Sequence, residues 1–146
     1  MSTKPEPTAQ ETATKTATSP VAAAAAKTGK RVLIVEDEKP LAHALELKLT
    51  HEGYQAHVEM TGATGLKEAL TGNYDMILLD LIMPEIDGFA VLQGLKDKGI
   101  ATPVIVLSNL GQEEDRRRAL ELGAKNYFVK ANTPILEIVK EVKKLF

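Results

Sequence analysis

From Lys30 onward, short continuous apolar runs alternate with longer segments whose apolar residues recur every third or fourth position, and the alternation repeats five times. Val32-Leu33-Ile34-Val35, Met76-Ile77-Leu78-Leu79 and Val104-Ile105-Val106-Leu107 have no polar face. They therefore read as strands buried on both sides of a parallel sheet. Asn126-Tyr127-Phe128-Val129 makes a fifth strand, whereas Tyr54 to Glu59, more polar and alternating, reads as an edge. Strand and helix in regular alternation predict βαβ units and an α/β fold.

The intervening segments carry their own start and stop signals. Pro40 suits a first helical turn, and Leu41, Ala44, Leu45 and Leu49 follow at helical spacing until Gly53. Thr61 caps a second helix with Ala63, Leu66 and Leu70 on one face. Asp87 caps a third with Phe89, Leu92 and Leu95, which ends near Gly99. The fourth begins at Gln112. Its acids Glu113, Glu114 and Asp115 complement the amino terminus and pair forward at i,i+4 into the run Arg116 to Arg118. That charge run reads as a solvated helix face, and Gly123 ends it. Thr133 and Pro134 open the last helix, whose apolar stripe is Ile135, Ile138, Val139 and Val142.

Composition changes the picture at the amino terminus. Residues 1–29 are rich in Thr, Ala, Pro and Lys with almost no large apolar residue, so they read as a disordered tail before an ordered domain at 30–146. The Ala22 to Ala26 run is too short for a membrane span and lacks the basic start of a signal peptide. A net charge of -2 gives no electrostatic footprint for direct nucleic-acid binding or for an anionic membrane. A chain without cysteine has no disulfide scaffold and no thiol nucleophile, which fits a cytoplasmic location.

Candidate chemistry gathers at the carboxyl ends of the strands. Glu36 and Asp37 end the first, Asp80 the third, Ser108 the fourth and Lys130 the fifth, so one edge of one sheet receives all five. In open α/β sheets that edge opens onto the ligand crevice. Crowded carboxylates repel unless a cation sits among them, and an all-oxygen set suits Mg²⁺. Lys130 and Ser108 offer the charge and the hydroxyl that phosphoryl oxygens need, which makes Asp80 a candidate nucleophile. Other candidates are weaker: His43, His51 and His57 have no ligand spacing, and Gly62 and Gly65 lack the Lys-Ser/Thr of a phosphate loop.

On these residues the sequence from about Lys30 to Phe146 resembles the response-regulator receiver domain of two-component signalling. The resemblance implies a flavodoxin-like doubly wound (βα)5 fold with a five-stranded parallel sheet in order 2-1-3-4-5. It implies that Asp80 is the phospho-acceptor and that Glu36, Asp37, Asp80 and the backbone carbonyl of Ile82 hold Mg²⁺. Ser108 and Tyr127 then correspond to the switch hydroxyl and aromatic, and Lys130 to the phosphoryl-binding lysine. The implied partners are a sensor histidine kinase or phosphotransfer protein upstream and a separate protein target downstream, met through the face of the fourth helix, fifth strand and fifth helix.

Departures from the family pattern refine these expectations. Ala131 follows Lys130 where a cis proline is common, and a cis bond without proline costs about 3 kcal/mol, so a trans bond is expected. Asn109 stands where a small residue is usual, narrowing access for small phosphodonors. Ile82 and Leu110 are apolar at positions that influence dephosphorylation; neither orients an attacking water, which predicts a long-lived phosphoryl state. Ile82 also stands where a haloacid-dehalogenase-type phosphatase wants its acid/base Asp, which argues against turnover of outside substrates. A phosphorylation-independent binding module is the remaining alternative. Lys125 and Asn126 stand where the DNA-binding branch commonly has dimerising acids, so a monomer or weak dimer without an attached output domain is expected.

Overall fold

The computed structural model describes residues 29–146; the expected tail at 1–29 lies outside them except for Gly29. The chain alternates β1 (Arg31–Val35), α1 (Lys39–His51), β2 (Gln55–Glu59), α2 (Gly62–Ala69), β3 (Met76–Leu79), α3 (Gly88–Asp97), β4 (Val104–Ser108), α4 (Glu113–Glu121), β5 (Asn126–Val129) and α5 (Ile135–Leu145). All strand pairs are parallel, in the order β2-β1-β3-β4-β5. This is the five-stranded doubly wound sheet that the sequence pattern and family resemblance predict.

Two apolar layers hold it. Successive side chains of a strand point to opposite faces, so Leu33, Val35, Ile77, Leu79, Val104 and Val106 pack beneath α2, α3 and α4, whereas Val32, Ile34, Met76, Leu78, Ile105 and Leu107 pack beneath α1 and α5. Leu45, Leu49, Ile138, Val139 and Val142 close the second layer. Each such side chain contributes roughly 1.5–3 kcal/mol when fully withdrawn from water. The helix after β1 covers one face and the helix after β3 the other, so the chain diverges between these neighbouring strands and leaves a crevice at their carboxyl ends.

Caps follow the sequence signals. The Thr61 hydroxyl accepts from the Thr64 N–H at 3.0 Å, and the Asp87 carboxylate accepts from the Ala90 N–H at 2.9 Å. β2 lies at the sheet edge, and it starts at Gln55 because the Tyr54 N–H bonds back to the Leu49 carbonyl at 3.0 Å in the turn that closes α1, with the Tyr54 ring packed against Phe146.

Two expectations fail. Ala63 is exposed; α2 turns Gly62, Gly65 and Ala69 inward instead, because the bare Gly65 backbone lets the helix close onto Val35, whose Cγ1 would lie 2.5 Å from an added Cβ. The forward ion pairs of α4 are also absent among the described residues. Arg118 lies over the Phe89 ring, 4.1 Å from its centroid, and Arg116 donates to the Tyr127 carbonyl at 3.3 Å. Exposed i,i+4 pairs are worth only a few tenths of a kcal/mol, so fixed tertiary partners win. No described helix is long and apolar enough to cross a membrane.

Candidate functional site

Register sets the centre of the crevice. Val35 pairs with Leu79, so the next residues, Glu36 and Asp80, step off the sheet side by side, and the Asp80 N–H donates to the Val35 carbonyl at 3.0 Å. Asp37 follows Glu36. Glu36, Asp37 and Asp80 bring one carboxylate oxygen each to within 4.8 Å of one another. On the other side β4 pairs with β5 through Ser108 and Val129, which places Lys130 one residue beyond the strand end.

Lys130 bridges the acids. Its ammonium donates to Glu36 Oε2 at 3.0 Å, to Asp80 Oδ2 at 3.2 Å and to Glu38 Oε1 at 3.3 Å. The lysine side chain is 10% exposed, Glu36 and Asp80 are nearly sealed, and Glu38 is 54% exposed. Two backbone amides assist: the Glu38 N–H donates to Glu36 Oε2 at 3.1 Å and the Ile82 N–H to Asp80 Oδ1 at 3.3 Å.

Burial sets the acid–base character. It pushes Glu36 from 4.5 up to about 7, with the nearby Asp80 charge adding to the rise and the Lys130 hydrogen bond opposing it. Asp80 is raised for the same first reason, against the pull of Lys130 and the Ile82 amide. Burial works to lower Lys130, but the Glu36 hydrogen bond and the Asp80 charge outweigh it and hold the ammonium up. Glu36 Oε1 lies 2.9 Å from Lys130 Nζ but in no hydrogen-bond alignment, leaving a buried carboxylate oxygen without a hydrogen-bond partner. An all-oxygen acid set with one such oxygen fits Mg²⁺, a hard cation that prefers carboxylates and water.

Ser108 is buried, and its hydroxyl oxygen accepts from the Leu110 N–H at 3.1 Å. Tyr127, expected to be the switch aromatic, is also buried, its hydroxyl donating to the Leu110 carbonyl at 2.6 Å. Burial pushes its phenol up. No described peptide bond is cis; the Lys130–Ala131 bond is trans, and Lys130–Asn132 forms a short 3-10 turn that carries the lysine back over the acids. The Ile82 side chain is exposed, 53%, beside Asp80.

Sequence reasoning missed Glu38 as a partner of Lys130. Its signal was available as a third acid immediately after the acid pair, but a carboxylate there also suits a helix start. It also missed the convergence of His57, Glu59 and Glu68 at the outer edge. The His57 Nε2 lies 2.6 Å from Glu59 Oε2, and Tyr74 donates to Glu68 at 2.8 Å. An i,i+2 pair on an edge strand meets α2 there, which no local spacing of histidines reveals.

Residues 32–143 match the family described as the response regulator receiver domain, and the chain belongs to that family. Response regulator ArlR of Staphylococcus haemolyticus (strain JCSC1435) is 41% identical over 99 residues, which are 68% of this chain and 45% of ArlR. The chain spans about half the length of the curated relatives it matches. The Francisella response regulator 1452 receiver domain superposes with a TM-score of 0.76 at 33% identity, over 80% of this chain and 96% of that one. TrrA of Thermotoga maritima, solved in complex with Mg(2+)-BeF, superposes with a TM-score of 0.71 at 32% identity, over 80% and 99%. Receiver domains are signalling domains of two-component systems rather than classical enzymes.

Proposed function

We propose that this chain is a phosphorylation-activated switch that accepts a phosphoryl group on Asp80 from a histidine kinase or phosphotransfer protein. The observation that carries this reading is Lys130 clamped between Glu36 and Asp80 at the crevice where β1 and β3 diverge. Glu36, Asp37, Asp80 and the Ile82 carbonyl would hold Mg²⁺, whose chemistry when bound is to offset the charge of phosphoryl oxygens. An Asp80 carboxylate oxygen forms its bond to phosphorus as the bond from phosphorus to the donor's leaving atom breaks; no redox partner enters. Lys130 then turns one N–H of its ammonium from the exposed Glu38 carboxylate to a phosphoryl oxygen. Ser108 exchanges its Leu110 amide partner for the same group, which releases the loop that holds the Tyr127 hydroxyl. The state is reported on the face of α4, β5 and α5 to a protein partner.

Beryllofluoride, a stand-in for the phosphoryl group, tests this reading when titrated with and without Mg²⁺ while backbone amide shifts are followed. The expected result is Mg²⁺-dependent shifts at Ser108, Leu110 and Tyr127 that vanish in Asp80→Ala. A folded wild type that gives no shifts overturns it and leaves a phosphorylation-independent binding module.

A further inference from the structure

We infer that Glu38 is a specificity-determining residue that restricts Asp80 against small anionic phosphodonors; this rests on the switch reading above. An ammonium has three N–H donors, and here three carboxylates take one each. Two of those carboxylates are sealed inside, at 2% and 5% exposure, whereas Glu38 is 54% exposed and marks the open side of the lysine. Glu38 is also the N-cap residue of α1, yet its side chain makes no capping bond and turns to Lys130 instead. Its backbone N–H holds Glu36 Oε2, so main chain and side chain both face the site.

Two consequences follow for a small anion entering from solvent. It meets the charge of Glu38 at the mouth, and it must take the third N–H of Lys130 away from that carboxylate before Lys130 can serve a phosphoryl oxygen. A protein donor offsets this barrier with contact surface outside the crevice, whereas a small molecule has none. Glu38 thus positions Lys130 and filters donors by charge.

The test compares wild type, Glu38→Gln and Glu38→Asp at saturating Mg²⁺. Beryllofluoride affinity is read by amide shifts, and phosphorylation rates are measured with acetyl phosphate, a dianion, and phosphoramidate, a monoanion. Glu38→Gln should bind beryllofluoride roughly two- to fivefold more tightly, the range of an exposed ion pair, and should speed acetyl phosphate more than phosphoramidate. Glu38→Asp, which keeps the charge, should stay close to wild type. Unchanged affinity, equal acceleration of both donors, or weaker beryllofluoride binding in Glu38→Gln overturns the inference, the last by making Glu38 part of the cation site. A wild type that responds while Glu38→Gln matches it sinks this inference alone. A folded wild type that does not respond sinks the switch reading and this inference with it.

Discussion

Glu36 makes the metal-free protein sensitive to pH in a direction opposite to ordinary surface carboxylates. Its carboxyl is raised from 4.5 to about 7, so between those values the folded state holds a proton that the unfolded chain has released. The stabilisation is fully present below pH 4.5 and is lost as pH rises through about 7. At about 1.4 kcal/mol per pH unit, that window corresponds to about 3 kcal/mol. Glu36→Gln removes the titrating group and keeps an oxygen to accept from Lys130 and the Glu38 amide. Urea unfolding in EDTA from pH 4.5 to 8 should therefore show wild type losing about 3 kcal/mol relative to the variant across the window. Added Mg²⁺ should reverse the trend in wild type, because a cation displaces the proton more readily as pH rises. Parallel pH profiles for wild type and Glu36→Gln would refute the reasoning.

Three further outcomes are expected. Gly88→Ala places a Cβ 2.4 Å from the Asp80 carbonyl oxygen and 2.7 Å from the Leu81 Cα, backbone atoms that cannot yield, so urea melts should show a loss of about 3 kcal/mol or more. Tyr127→Phe leaves the Leu110 carbonyl without its donor; a loss of about 1 kcal/mol and faster hydrogen exchange from 109 to 112 are expected, and unchanged exchange would show that the bond does not order the loop. Wild type phosphorylated on Asp80 should hold its phosphoryl group long after excess donor is removed, and Ile82→Asn, which offers a polar side chain to an attacking water, should shorten that lifetime; rapid loss from wild type would remove the basis of the comparison.

The strands were legible because burial on both faces forces a continuous apolar run, and the strand-end polar residues stood out against it. Burial by absence was not legible. Gly65 enters the core by letting a backbone approach Val35, so a search for apolar side chains at helical spacing chose Ala63 instead. The arginines of α4 looked like members of local pairs, but Arg116 and Arg118 use their length to reach β5 and Phe89, and those partners depend on how α4 lies against the sheet. Glu36, Asp80 and Lys130 could be assembled from strand order alone. Glu38 could not, since its place depends on how a lysine 92 positions away re-enters through the 3-10 turn.

Leu110 meets the Ser108 hydroxyl and the Tyr127 hydroxyl through its own main chain, the N–H to one and the carbonyl to the other. The connection therefore runs through main-chain groups, while the Leu110 side chain packs against the core beneath, and a proline there would remove the N–H arm outright. The Ser108 arm and the Tyr127 arm thus meet in the peptide units on either side of one Cα, so a shift of that one residue moves both together.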